Sequence, residues 1–285
     1  MDLELARRFY ALELEAVASL RSPAVVEAFA RVPREKFLGP GPWQIPSGMP
    51  WPGLGPMEYR TTPDADPVRL CHNVLVAIDA KRNINNGQPS LLASLIDALE
   101  LGPGDSALHV GCGVGYYTAI IAEVVGPKGR VVGVEIDPGL AERARALLGS
   151  AAQVIHGNGT ESVGELDAIL INAGATHPLP SWLDALKPGG RLLLPLTAAM
   201  PGMPGGTGVV FKIQRTASGF SARALTPISI FPCEGAREPR LEQALAGLLR
   251  SRGAMGVRSL RRDPHERQES CVVHDELLCL STLPP

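Results

Sequence analysis

Residues 108–118 read LHVGCGVGYYT. The stretch ALHV (107–110) predicts a short buried strand, and YYTAIIAEVVG (116–126) predicts a helix. Between them lie Gly111, Gly113 and Gly115. Glycines at a strand-to-helix turn allow a tight bend and let a ligand approach the backbone at the helix N-terminus. The spacing is G-x-G-x-G. A dinucleotide fingerprint would place its third glycine at position 116, where this chain has tyrosine. No Gly-Lys-Ser/Thr follows, so the loop is not a phosphate-binding P-loop.

Strand and helix patterns alternate on either side of this loop. PSLLASLIDALELGPGD (89–105) predicts a helix with Pro89 in its first turn and Gly102-Pro103 at its stop. RVVGVEID (130–137), AAQVIH (151–156), LDAILINA (166–173) and RLLLPL (191–196) predict strands. PGLAERARALLG (138–149) and LPSWLDALKPGG (179–190) predict the helices among them. Such alternation implies an α/β fold with a mostly parallel sheet and helices on both faces. VVFKIQRT (209–216) and FSARALTPISIF (220–231), split by Ser218-Gly219, predict a closing antiparallel hairpin.

The second strand ends at Glu135, 24 residues beyond Gly111 (135 − 111). A carboxylate at that tip can accept both ribose hydroxyls of a nucleoside. The geometry suits an adenosine without a pyrophosphate. Asn158, in HGNGT (156–160), ends the third strand and can pair with an adenine edge; a plain Asn-Gly turn is the simpler alternative. Cys112 reads as a small filler, since no histidine partner stands near it in sequence.

The N-terminal part differs in texture. Residues 2–20 and 23–31 predict helices, with Ser22-Pro23 as cap and first-turn proline. Residues 39–56, GPGPWQIPSGMPWPGLGP, hold 11 prolines and glycines, which rules out regular structure. Trp43 and Trp51 lie there, in a loop of a kind that often forms a lid. In the tail, residues 237–252 predict an amphipathic helix, and GVRSLRRD (256–263) and ESCVVHDELLCLST (269–282) predict two more strands. Six arginines fall between Arg250 and Arg267, with Asp263 and Glu266 interleaved, as on a solvated face rather than an anion-binding patch. The expected divisions are 1–87, N-terminal helices and loops; 88–231, the glycine-loop domain; and 232–285, a helix and hairpin packed on it.

Composition narrows the partners. The chain has 285 residues, 45% hydrophobic and 20% charged, with net charge −2. No footprint for nucleic acid or an anionic membrane stands out. Neither a membrane-spanning run nor the basic-then-apolar build of a signal peptide is evident, so a cytoplasmic location is expected. Five cysteines with no CxxC pair argue against a disulfide framework or zinc site, and six scattered histidines without HExxH give no metal expectation. The sequence says nothing of oligomeric state.

Several stretches together resemble the protein-L-isoaspartate O-methyltransferases, a branch of the S-adenosylmethionine (SAM) methyltransferases. They are AFARVPREKFL (28–38), QPSLLASLIDALELGPGD (88–105), GCGVGYYTA (111–119), ERARALL (142–148), LDAILINAGA (166–175) and LKPGGRLLLPL (186–196). The resemblance covers roughly residues 23–230. It implies a Rossmann-like, seven-stranded class I methyltransferase sheet, with SAM at the strand C-termini and S-adenosylhomocysteine as product. Gly111, Gly113 and Gly115 would line the methionine part, Glu135 would hold the ribose and Asn158 the adenine. His109, Cys112, Tyr116, Ile136, Gly157 and Asn172 would complete the cofactor lining.

Three departures bear on function. The family usually has an acid where His109 stands, and Asp where Asn158 stands. It carries Thr-Ile-Ser before Gln-Pro, at an elbow that contacts the isoaspartyl substrate. Here Asn85-Asn86-Gly87 precedes Gln88-Pro89. These three would be the acceptor-side residues, with the asparagine amides donating to a carboxylate. The expected activity is carboxyl methylation of a peptide or protein. One alternative is the same chemistry on a dedicated peptide, natural product or small acid. Another is a non-catalytic SAM or nucleoside binder. A nicotinamide oxidoreductase is disfavoured by the glycine spacing.

Overall fold

Local chemistry sets most of the element boundaries. In the computed structural model, which describes residues 2–47, 58–199 and 205–285, α1 (Leu3–Ala18) is capped by the Asp2 carboxylate, and α2 (Pro23–Arg31) by the Ser22 hydroxyl. A short α3 (Arg34–Phe37) follows. β1 (Gln44–Pro46) and β2 (Tyr59–Thr61) pair antiparallel, as do β3 (Ala77–Asp79) and β4 (Ile84–Asn85). Then come α4 (Pro89–Ala98), β5 (Ser106–Val110), α5 (Tyr116–Val125), β6 (Arg130–Glu135), α6 (Pro138–Leu148), β7 (Gln153–His156) and β8 (Leu166–Ile171). The chain ends in α7 (Pro180–Ala185), β9 (Leu186–Ala199), β10 (Gly206–Thr216), β11 (Gly219–Ile230), α8 (Pro239–Arg250), β12 (Ser259–Arg261), β13 (Cys271–His274) and β14 (Cys279–Ser281).

Contacts divide the chain into two bodies: Met1–Asp105 with Cys112–His156, and Ser106–Gly111 with Gly157–Pro285. In the first, β6 and β7 pair in parallel, Glu135 opposite His156, with α5 and α6 packed on them. α1, α2 and α4 form a helical layer. Asp97 of α4 sits at its joint, accepting from the backbone N–H groups of Arg21 (3.0 Å) and Ser22 (2.8 Å). Tyr10, Phe29, Phe37, Tyr116 and Tyr117 interleave as tilted and edge-to-face rings, burying the start of α5 among the N-terminal helices.

In the second body β5, β8 and β9 run in parallel, and β10 and β11 close with the expected antiparallel hairpin. β9 differs from expectation. The helix before it stops at Ala185, because Leu186 already pairs with Leu166 of β8; Lys187-Pro188-Gly189-Gly190 is an irregular entry to the strand rather than a helix terminus. The tail also differs. The second predicted tail strand is broken by a tight turn at Asp275–Leu278, so the tail supplies α8 and three short strands in the order β11-β12-β14-β13. Arg237 fastens it to the body, donating to the carbonyls of Gly174 (3.1 Å) and Thr197 (3.0 Å) while paired with Glu242.

The Pro/Gly-rich segment, expected to hold no regular structure, contains β1, whose backbone pairs with β2 despite the prolines. Its Trp43 is a core residue, 6% exposed among Leu38, Ile45, Leu70 and Val76. Trp51 and the rest of 48–57 lie outside the described residues. Among the described residues no helix is long and apolar enough to cross a membrane.

Candidate cofactor and acceptor site

In the first body the glycine loop is held by Glu135. Its Oε2 accepts from the Gly113 N–H at 2.7 Å and its Oε1 from the Asp137 N–H at 3.0 Å. Each carboxylate oxygen keeps a further lone pair for an outside donor. The next side chain, Ile136, is 43% exposed. Gly113 has φ +57, and a Cβ built there would meet nothing within 4 Å. Gly115 serves packing instead: a Cβ there would lie 2.8 Å from the Leu148 side chain. Cys112 is buried against Gly133, and burial pushes its thiol up to about 12, so it stays protonated. The Tyr116 ring turns into the aromatic cluster, leaving only its backbone for the loop.

The elbow belongs to the same body. The Asn85 side-chain Oδ1 accepts from the Gly87 N–H at 2.9 Å, an Asx turn. Gly87 has φ +78, and a Cβ there would sit 3.0 Å from Leu92, so glycine is required. The Gly87 carbonyl accepts from the Tyr117 hydroxyl at 3.1 Å. Asn86 is 7% exposed; its Oδ1 accepts from Arg34 and from the Val76 N–H, both at 3.2 Å. Arg34, from the VPREKF stretch, is 2% exposed and also donates to the carbonyls of Leu70 (2.8 Å), His72 (3.0 Å) and Val74 (2.7 Å). Its cationic plane lies 5.6 Å from the Tyr10 ring. Sequence reading missed Arg34 as an organiser of the elbow. Gln88 donates to Asn73, whose side chain accepts from the Ser90 N–H at the start of α4. Beside the strand-end turn, a cleft is lined by Asp79, Lys81, Arg82, Asp137 and Arg143.

The second body holds the other predicted residues. His109 is fully buried in β5, and burial lowers its imidazole to about 4, so it is neutral near pH 7. Gly111 has φ +75, and a Cβ there would meet the Asn172 carbonyl at 2.9 Å. Asn172 donates from its backbone to Val110 (2.8 Å) and from its amide to the Gly111 carbonyl (3.3 Å). Asn158 is exposed; its Oδ1 accepts from the Thr160 N–H (3.2 Å) and hydroxyl (2.7 Å). Gly157 beside it borders open space. Trp182 steadies this turn by donating to the Gly159 carbonyl at 2.7 Å.

A strand, a glycine turn opening a helix, an acid ending the next strand and an antiparallel closing hairpin define the class I SAM-dependent methyltransferase fold. Two solved structures share it. One is a protein-L-isoaspartate O-methyltransferase (TM-score 0.58, 22% identity, 90% of this chain and 72% of that one). The other is a putative protein-L-isoaspartate O-methyltransferase from Plasmodium falciparum in complex with S-adenosyl-L-homocysteine (TM-score 0.57, 18% identity, 80% and 98%). The protein-L-isoaspartate(D-aspartate) O-methyltransferase family model matches residues 71–207. A protein-L-isoaspartate O-methyltransferase of Ignicoccus hospitalis is 32% identical over 237 residues, 81% of this chain and 98% of its own. That of Methylorubrum populi is 31% identical over 234 residues, 80% and 94%. The chain belongs to the protein-L-isoaspartate O-methyltransferase family.

Proposed function

We propose that this protein transfers the methyl group of SAM to a side-chain carboxylate of a peptide or protein, with an isoaspartyl residue as the acceptor class. The observation that carries the reading is the Glu135 carboxylate, held by two backbone N–H groups beside a glycine that faces open space. Such a group suits a ribose diol, and Gly113 leaves room for the methionine part. In the second body Asn158 and Gly157 would take the adenine edge. Gly111, with its turn fixed by Asn172, would complete the loop. His109, Cys112 and Tyr116 would support the loop's shape from within, and Ile136 would cover the purine.

Bound SAM supplies an electrophilic methyl on sulfur. The protein's task is then placement. A carboxylate acceptor is already ionised at pH 7, so no general base is needed. Burial keeps Cys112 protonated and His109 neutral, which fits a site without a nucleophilic or proton-relaying side chain. Asn85 and Gly87 would orient the acceptor: the Asn85 amide donates, and Gly87 lets the backbone come close. Asn86 would act through Arg34, as a positioning residue. Rate enhancement of this kind rests on proximity and exclusion of water.

The elbow also supports a second reading, in which the acceptor is a dedicated peptide or small acid, because the hydroxyl-bearing residues of the family are replaced. One assay tests both. Purified protein, labelled SAM and matched isoaspartyl and aspartyl peptides should give a base-labile methyl ester on the isoaspartyl peptide alone. No ester on either would reject the first reading. Cytoplasmic residence belongs to the same proposal; its support is that all five cysteines are unpaired.

A further inference from the structure

The tail brings together four side chains far from the glycine loop in sequence and beyond residue 207, where the family match ends. They are His265, Cys271, His274 and Cys279, and one ligand atom from each lies within 4.8 Å of all the others. We propose that these four residues bind one zinc ion in a closed, tetrahedral, structural site.

The distances match the edges of such a tetrahedron. With zinc–sulfur bonds of about 2.3 Å and zinc–nitrogen bonds of about 2.0–2.1 Å, sulfur atoms stand about 3.8 Å apart and sulfur and nitrogen about 3.5 Å apart. Here the Cys271 and Cys279 sulfurs are 3.6 Å apart. His265 Nε2 lies 3.6 Å from the Cys271 sulfur and 3.3 Å from that of Cys279. The two histidine rings stand edge to face with centroids 4.8 Å apart.

The backbone explains how four such residues converge. The turn at Asp275–Leu278 sets His274 directly across from Cys279. A bulge between Cys271 and Val273 shifts the register by one, so Cys271 pairs with Ser281. Residues 279 and 281 share a face of β14, and so the bulge puts Cys271 on the face of His274 rather than the opposite one. His265 arrives from the 262–270 loop. Its Nδ1 is 2.7 Å from the Asp263 carbonyl. That bond places the ring proton on Nδ1 and leaves the Nε2 lone pair facing both sulfurs, the tautomer a metal requires. Arg261 clamps the same turn through the Asp263 carboxylate at 2.6 Å. His274 has a buried Nδ1 with no hydrogen-bond partner among the described residues, a costly arrangement that a metal bond resolves.

The donor set chooses the ion and the role. Two thiolates and two imidazoles in a tetrahedron favour zinc. Four protein ligands leave no open position, so the ion would hold structure rather than act on substrate. It would also fasten β13, which has a strand neighbour on one side only.

The test uses untagged full-length protein, purified without chelator. Elemental analysis should find about one zinc per chain. Cobalt(II) exchanged into the protein should give visible bands of tetrahedral cobalt and a near-ultraviolet thiolate-to-metal band. Cys271→Ser should lose the metal, and Cys71→Ser should keep it. His274→Cys, which preserves four ligands, should retain the ion with a stronger thiolate band. The wild-type cobalt spectrum is read without any variant, so misfolding of Cys271→Ser leaves the test intact. Protein that takes up neither zinc nor cobalt overturns the proposal. A Cys271–Cys279 disulfide after purification without reductant overturns it too, as do cobalt bands that persist in folded Cys271→Ser.

Discussion

The Tyr117 hydroxyl donates to the Gly87 carbonyl at 3.1 Å, so the helix that leaves the glycine loop is tied directly to the Asn85–Gly87 elbow. Tyr117 is buried, and its partner is a main-chain atom whose φ of +78 only glycine adopts freely. Tyr117→Phe removes the bond and little else. A loss of about 1 kcal/mol is expected for such a bond. Acceptor kcat/KM should fall several-fold while SAM affinity by calorimetry stays unchanged. Equal losses in both would mean that the tie does not act on the elbow.

Glu135→Ala should weaken SAM binding about 10- to 100-fold, since a hydrogen bond to a charged group is worth roughly 1.5–3 kcal/mol. Glu135→Gln separates two contributions: it can still accept from one backbone N–H but loses the charge. An intermediate loss is expected for Gln, measured by the same titration. Wild-type affinity in Glu135→Ala would displace the cofactor from this strand end.

Asn85→Asp keeps the oxygen that accepts from the Gly87 N–H and replaces the amide donor with a negative charge. It should lower kcat/KM for a carboxylate acceptor by at least about tenfold, near 1.4 kcal/mol, with the melting temperature nearly unchanged. Full activity would show that the elbow turns a corner and does not hold the acceptor.

Arg34→Met should destabilise the fold by about 3 kcal/mol or more, because a buried cation's three carbonyl partners lose this donor and the Asn86 oxygen keeps only the Val76 N–H. Arg34→Lys should recover little, since an ammonium cannot reproduce the planar fork. Urea denaturation reads both. A loss under about 1 kcal/mol in Arg34→Met would remove Arg34 from its organising role.

Burial lowers His109 from 6.5 to about 4. Between those values the unfolded chain binds a proton that the folded chain does not, so stability rises with pH across the window. The contribution is complete above about pH 6.5 and is lost as pH falls toward about 4. His109→Gln should therefore lose less stability than wild type between about pH 7 and about pH 4.5 in urea titrations. Parallel losses would assign the acid sensitivity to other groups.

The parts legible in the sequence were those encoded by near neighbours. Apolar spacing and the glycines at 111, 113 and 115 located β5, α5 and β6, and Glu135 followed from its distance along the chain. The meaning of Asn86 did not, because its oxygen is taken by Arg34, 52 residues away in sequence. The entry to β9 was hidden by Pro188-Gly189-Gly190, which reads locally as a helix stop until β8 supplies a partner. The His265 to Cys279 cluster has no CxxC or HExxH spacing. A bulge and a loop bring it together, and neither leaves a periodic trace.

Three of the four bonds made by Arg34 end on main-chain oxygens, which any residue at 70, 72 or 74 would provide. One cation thus shapes the approach to the elbow without dictating a single side chain along it. Leu70 is constrained by its own packing in the core, but positions such as His72 owe Arg34 nothing beyond a carbonyl. Asn73 is tied by its bonds to Gln88 and Ser90, but an exposed position such as His72 can exchange its side chain while the path is kept. Mutational tolerance there should be high and at Arg34 near zero.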